Sequence, residues 1–573
     1  MAAKIYISIF FTFLGLTMAF DLMDDVNLEG QKEDEISSSH RTDSLSMLIL
    51  ISLLIATVLM IWLFKIRRFS CFHETGVAMI FGIIVGAIIR YSEDKDSVEK
   101  AVSIHNCDNL TSAPRNVWMK VNGTQYSYIL SGIVQHARKG AEGNELEDKS
   151  SFNPEIFFYV LLPPIIFFEG YLLQRRYFFR NLGAICTYAF FGTTISCLVV
   201  GGMIFGFNKL TGVVETFDFP ECLLFGAMIS ATDPVTVLAI FHDLHVDVDL
   251  YALVFGESVL NDAVAIVLYR AIETYLAYNP SEVRKFDVFS FFTALGEFVA
   301  IFAGSLLIGC AFACITALLT KLTKIGMFPI LETALFFLMS YTTFLAAEVA
   351  SWSGIVAVLF CGITQRHYTH KNLSPESSIR TLQTFELLNF LAENFIFSYI
   401  GLSVFLFNYH QWNFGFIGTA FIAIHIGRFL NIYPLSLLLN CGRTRKIACS
   451  HQHTMMFAGL RGAIAFSLAI RNTVSMPRQM MLTATLSIVV ISVIFFGGLT
   501  LPMTKCLGIE TGIDETEEEF KAKRLSLIDI NDPSNTDEDR AEKKKFEKSW
   551  LVRTFSAFDT KYLKPIFTDI HNE

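Results

Sequence analysis

The sequence predicts an all-α polytopic membrane protein of about 13 transmembrane helices, and three observations carry that prediction. Of 573 residues, 53% are hydrophobic and only 17% charged, against about 25% charged in an average soluble domain. The excess lies in repeated apolar runs of about 20 residues, the length that crosses a bilayer as a helix; none shows the ~10-residue alternation of an outer-membrane strand. Some of these runs also carry ionisable residues next to helix breakers, and an ionisable group at membrane depth is costly and marks function by default.

The elements follow in order. Lys4, the short apolar run Ile5 to Ala19, then Asp21, Asp24 and Asp25 read as a signal peptide over residues 1–20. Residues 21–44 are polar and acidic and are expected to be a disordered lumenal segment. The transmembrane domain is expected over 45–508. Span 1 (46–64) ends in Lys65, Arg67 and Arg68, which places that end in the cytosol. Span 2 (75–91) returns, so the polar loop 92–150 is non-cytosolic; it carries two glycosylation sequons, at Asn109 and Asn122. Span 3 (154–173) runs inward to Arg175, Arg176 and Arg180, and spans 4 to 8 follow at 182–206, 220–241, 250–275, 288–318 and 328–348. Span 9 (352–364) leads into the basic loop 365–380, predicted cytosolic, so the third sequon at Asn372 should stay unmodified. Spans 10 to 13 lie at 384–407, 413–439, 453–470 and 479–504, leaving a cytosolic tail over 509–573.

Span 5 is interrupted by Thr232, Asp233 and Pro234, because proline cannot continue the helical ladder. Span 12 is interrupted at Gly459 and Gly462 around Arg461. The two breaks are seven spans apart, an odd number, so the second copy would be upside down. Paired broken helices of that kind are the best sequence pointer to a transport site, and they predict inverted repeats with two crossing discontinuous helices.

Span 6 carries Glu257, Ser258, Asn261 and Asp262 within an otherwise apolar helix. A carboxylate at that depth is satisfied by a proton or by a small cation, and a site open alternately to each side would exchange one for the other. A hard monovalent cation, Na⁺ or K⁺, prefers oxygen donors. The donor set expected is Asp262 and Asp233 as the charged ligands, with Thr232, Asn261 and Ser258. Ser258 lies one helical turn before Asp262 on the same face. Arg461 is expected to neutralise half-helix ends, and Glu257 and Arg428 to form a buried pair. Glu169 and Glu393 are further acids in apolar runs, with roles at the ion vestibule or at an interface; His425 reads as an interior histidine.

Together these strings resemble the sodium/proton exchanger family: Leu162 to Ile166 (Leu-Pro-Pro-Ile-Ile), Ile229 to Val235, Phe255 to Ala263, Ser353 to Ile355 and Gly459 to Ala465. His73 to Gly76, Leu238 to His242, Arg366 to His370 and Asp559 to Pro565 resemble the organellar, endosomal branch, isoforms six, seven and nine. The resemblance implies a homodimer of 13-helix protomers, with a dimerisation domain and an elevator-like core domain. It implies Asp262 as the ion carrier, the Glu257–Arg428 pair, and Arg461 neutralising the crossing. Electroneutral exchange of Na⁺ or K⁺ for H⁺, regulating lumenal pH, is implied, in early or recycling endosomes or the trans-Golgi, with passage through the plasma membrane. Phe168 and Glu169 depart from the family pattern, which has a polar and then a small residue there.

No nucleophile–base set, Walker sequence or redox motif is present, so neither an enzyme nor a cofactor is expected; the ions are cargo. The formal charge of −9 is carried largely by the soluble ends and suggests no nucleic-acid partner. The 11 cysteines are scattered and predict no disulfide framework. Lys543 to Arg553 mixes basic and apolar residues and suits anionic membrane lipid or a regulatory protein. Two rival functions fit the fold: a cation channel, and a transport-inactive scaffold or sensor.

Overall fold

The computed structural model describes residues 32–67, 74–92, 116–121, 124–129, 157–173, 175–212, 217–233, 237–238, 240–241, 244, 246–278, 288–407, 410–443, 446–473, 475–509 and 558–568. The signal peptide, Pro234, both sequons of the 92–150 loop and Lys543 to Arg553 lie outside them.

Nearly all of the described residues are helical. In order come α1 (Lys32–Arg67), α2 (Glu74–Ser92), and α3 (a π-helical turn Phe157–Leu161 running into Leu162–Leu172). Next is α4, continuous through Arg175–Cys186, a π-helical stretch Thr187–Gly192, and Thr193–Thr211. Then follow α5 (Phe219–Ser230), α6 (Val248–Tyr278), α7 (Val288–Leu322), α8 (Pro329–Val349), α9 (Gly354–His367), the short α10 (Thr369–Asn372), α11 (Pro375–Leu406) and α12 (Phe414–Gly442). After them come α13 (Cys449–Phe457), α14 (Ala463–Ile470), α15 (Met476–Ile491, a π turn Ser492–Phe496, Gly497–Cys506), and a final π turn Asp559–Leu563 leading into α16 (Lys564–Phe567). Among the described residues, nine helices are long and apolar enough to cross a membrane. The other predicted spans fall on shorter helices: α3, α5, α9 and the pair α13–α14.

Two features differ from the sequence expectation. The first helix begins at Lys32, so residues 32–44, expected as disordered, are helical. Their polarity keeps them out of a bilayer but does not oppose a helix that extends the span. The 92–150 loop holds an antiparallel hairpin, β1 (Asn116–Val121) paired with β2 (Thr124–Ile129), in register from Asn116↔Ile129 to Val121↔Thr124. It is the one departure from an all-helical description among the described residues.

The helices pack as two groups. In the first, α2 runs along α11, α3 and α7 flank α9, and α1 and α8 complete the layer. The α2–α11 contact is close because glycines meet backbone: a Cβ on Gly82 would lie 2.0 Å from the Ser398 carbonyl oxygen, and one on Gly401 2.2 Å from that of Met79. Small residues permit such approach in membrane helices, where dispersion and backbone contacts replace the hydrophobic drive of water. In the second group, α4 packs on α5 and α12, α6 packs on α4 and α5, and α14 and α15 close the layer. Helix α7 touches α6 as well as α9, joining the groups. Leu307 on α7 and Leu437 on α12 are exposed, as lipid-facing side chains are. By contrast, 94% of the span within α6 is buried. An apolar helix buried all round is the central one, and it is the helix that carries Glu257, Ser258, Asn261 and Asp262.

Candidate ion-binding site

The site is built where two interrupted helices cross beside α6. Helix α5 ends at Ser230 and the chain is non-helical through Ala231 to Asp233; α13 ends at Phe457 and α14 starts at Ala463. The two breaks are joined backbone to backbone: the Asp233 N–H donates to the Leu460 carbonyl at 2.9 Å.

A broken helix leaves orphan carbonyls at one half-helix end and orphan N–H groups at the other. Each is met by a charge of the right sign. Arg461, only 2% exposed, donates Nη1 to the carbonyls of Ser230 (2.7 Å) and Ala231 (3.0 Å), capping the C-terminal end of α5. Arg428 donates Nη2 to the Met455 carbonyl (2.8 Å) in the last turn of α13. The Asp233 carboxylate accepts from the Ala463 N–H (3.3 Å) at the first turn of α14. Cations at C-terminal ends and an anion at an N-terminal end are the favourable pairings with the helix dipole.

Glu257 is 1% exposed and is held in a two-pronged pair by Arg428, Nη1 to Oε1 at 2.5 Å and Nη2 to Oε2 at 2.8 Å. Asn261 is fully engaged as a bridge. Its Nδ2 donates to the Ser230 carbonyl (3.2 Å) and the Thr232 hydroxyl (3.0 Å), and its Oδ1 accepts from the Thr193 hydroxyl (2.7 Å). Ser258 donates to the Thr232 carbonyl at 2.5 Å. The amide and these hydroxyls therefore hold the α5 break against α6, with both polar atoms of Asn261 hydrogen-bonded.

Asp262 differs from its neighbours. It is 6% exposed, and its Oδ1 is buried with no hydrogen-bond partner. It lies in electrostatic reach of Glu169, Asp233, Glu257 and Arg461. The crossing thus gathers two guanidinium groups and three carboxylates from Glu257, Asp233 and Asp262. Glu257 is paired with Arg428 and Asp233 accepts from the α14 N-terminus, whereas Oδ1 of Asp262 has no hydrogen-bond partner.

Three contributions, from Thr193, Ser492 and the second bond of Arg428, are not legible in the sequence, and Glu169 is the acid expected at the ion vestibule or at an interface. Thr193 follows the π-helical stretch of α4 and orients Asn261. Ser492 opens the π turn of α15, accepts from the Arg461 N–H (3.2 Å) and donates to its carbonyl (3.0 Å), holding the second break. π-Helical turns often sit at functional sites, but no residue pattern announces them here. Arg428 caps α13 as well as pairing with Glu257. Glu169, on α3 of the other helix group, interacts electrostatically with Asp233, Glu393 and Asp262, and its Oε2 is buried without a partner. His425 donates Nδ1 to the Phe421 carbonyl (2.8 Å) within its own helix and packs on Phe421 and Phe496.

Residues 50–506 match the family described as "Sodium/hydrogen exchanger, transmembrane". The chain belongs to the sodium/hydrogen exchanger family. It is 51% identical to human sodium/hydrogen exchanger 9 over 544 residues, covering 94% of this chain and 83% of that one. It is 49% identical to human sodium/hydrogen exchanger 7 over 562 residues, covering 94% and 77%. The solved structure of the sodium proton antiporter MjNhaP1 from Methanocaldococcus jannaschii shares the fold, with a TM-score of 0.54 at 17% identity over 82% of this chain and 100% of that one. The exchanger is therefore a membrane transporter of the cation:proton antiport class and not an enzyme.

Glycine at 462 is a steric requirement of this exchanger's crossing. A Cβ there would lie 1.8 Å from Asp233 Oδ2. Gly462→Ala must push the carboxylate off the α14 N-terminus, and overpacking of this kind costs about 1–3 kcal/mol. We expect the variant to lose exchange and to melt at lower temperature than wild type; unchanged transport and melting would contradict the close approach.

Proposed function

We propose that the protein exchanges one Na⁺ or K⁺ for one H⁺ without net charge movement, across the membrane of an acidified endosomal or trans-Golgi compartment, and that Asp262 binds the two cargoes alternately. The observation that carries this reading is the buried Asp262 Oδ1 with no hydrogen-bond partner, on the central helix beside the two helix breaks. A proton or a monovalent cation each supplies the missing positive charge, and both cannot do so at once. Asp233 is the second charged oxygen at the crossing, with Thr232 and Ser258 as its neighbouring oxygen donors. Asn261 is a positioning residue; it holds the α5 break and adds no titrating group, which favours one cation for one proton.

In an acid lumen the exchanger releases protons to the cytosol and loads cation, with about 1.4 kcal/mol available per pH unit of gradient. The resemblance to the organellar branch supports that location, regulation of lumenal pH as the role, and a homodimer. The division into two helix groups, with the site on one and Glu169 on the other, suits an elevator motion of the α4–α6 and α12–α15 group against the layer of α1–α3, α8, α9 and α11.

Competition at one carboxylate has a direct consequence. Adding Na⁺ or K⁺ to purified protein in weakly buffered solution should release protons and acidify the medium, about one per protomer, and Asp262→Asn should release none. Cation binding measured by calorimetry with no proton release would overturn the shared-site reading.

A further inference from the structure

We propose that residues 558–568 form a docking module of the chain's own tail, and that its receptor is the surface made by the end of α7, the α9–α10 junction and α10. Two strings that stand out in the sequence, Arg366 to His370 and Asp559 to Pro565, meet here although their contacting residues lie 191 and 192 positions apart. Asp559 is buried. Its Oδ1 accepts from the Tyr368 hydroxyl at 2.6 Å and its Oδ2 lies 2.8 Å from His367 Nε2. At the other end of the segment, Lys321 on α7 donates Nζ to the carbonyls of Pro565 (2.7 Å) and Ile566 (3.1 Å), an ammonium closing the last turn of a short helix. Asn372 Nδ2 donates to the Phe567 carbonyl (2.8 Å) and to that of Ala317 (2.9 Å), bridging tail and α7. The rings of Tyr368 and Phe567 pack at 5.4 Å.

The recognition is polar and specific at both ends, while Phe558, Tyr562 and Ile566 stay about half exposed. The dock therefore holds chiefly by a small number of directed bonds. It joins two regions that the predicted topology places on the cytosolic side. It also occupies Asn372, the sequon expected to stay bare. The chain leaves the second helix group at α15 and the dock holds it again on the first, so the two ends of the intervening stretch are tethered to one another. Closing a loop raises the effective concentration of whatever it carries, and here it carries the basic segment Lys543 to Arg553, immediately before the dock.

Hydrogen exchange on the full-length protein in lipid nanodiscs tests this. In wild type, peptides covering 558–568 and 366–372 should be protected together. Asp559→Ala should speed exchange in both by about tenfold or more, the effect of losing hydrogen bonds to a charged group, with α6 peptides unchanged and transport retained as the check on folding. A synthetic peptide of residues 555–571 added to that variant should restore protection at 366–372, and its Asp559→Ala version should not. Wild-type exchange at 558–568 as fast as in the variant would overturn the dock. Persistent protection of 366–372 in Asp559→Ala would overturn the tail as its occupant, pointing to a second copy or another protein.

Discussion

Replacing Asp262 with Asn should abolish cation-driven proton movement and leave the protein folded. The substitution keeps the shape of the side chain. It removes no hydrogen bond from Oδ1, which has none. What it removes is the ability to hold a proton at one time and a cation's counter-charge at another. Burying a neutral amide also costs less than burying an uncompensated carboxylate, so the melting temperature should match or exceed that of wild type. The discriminating result is the combination: no flux with a melt at least as high as wild type. Retained flux in this variant would remove Asp262 as the carrier. Lost flux with a collapsed melt would make its role structural.

Arg428→Ala should produce the largest loss of stability in the protein. Glu257 and Arg428 are 1% and 4% exposed, so truncating the arginine leaves a bare carboxylate in the interior and uncaps the end of α13 at Met455. Breaking a buried ion pair by removing one partner costs about 3–5 kcal/mol, a large share of what holds a domain folded. Replacing both partners, Glu257→Gln with Arg428→Met, should recover much of that, because the cost lies in the stranded charge. A thermal melt of Arg428→Ala within about a degree of wild type would show that the pair is not the structural bolt described here. The double variant need not recover transport, since α13 remains uncapped.

Much of this architecture is legible in the sequence because the membrane makes polarity expensive. Asp262, Asp233, Arg461 and Glu257 stand out as charges within apolar runs, and Gly459 and Gly462 bracket a helix break that the structure places between Phe457 and Ala463. The donor set is less legible. Asn261 sits beside Asp262 in the sequence, but only the folded arrangement shows its amide bonded to Ser230, Thr232 and Thr193. Thr193 and Ser492 look like ordinary small polar residues in apolar helices, and the π turns that aim them leave no periodic trace. The pairing of β1 with β2 has a sequence signal, an Asn-Gly pair between strand-forming residues. Residues 32–44 are polar and acidic, a composition that suits disorder, yet helix α1 runs through them. The tail dock joins strings that can each be seen but whose meeting depends on the tertiary fold.

We propose electroneutral exchange of a monovalent cation for a proton at one shared carboxylate. The most direct test is proton movement in sealed proteoliposomes after a step of external Na⁺ or K⁺, with the membrane potential clamped at several values. Exchange at one site predicts flux that needs cation, vanishes in Asp262→Asn and is the same at every voltage. Flux that varies with voltage, or proton movement without cation, would contradict it.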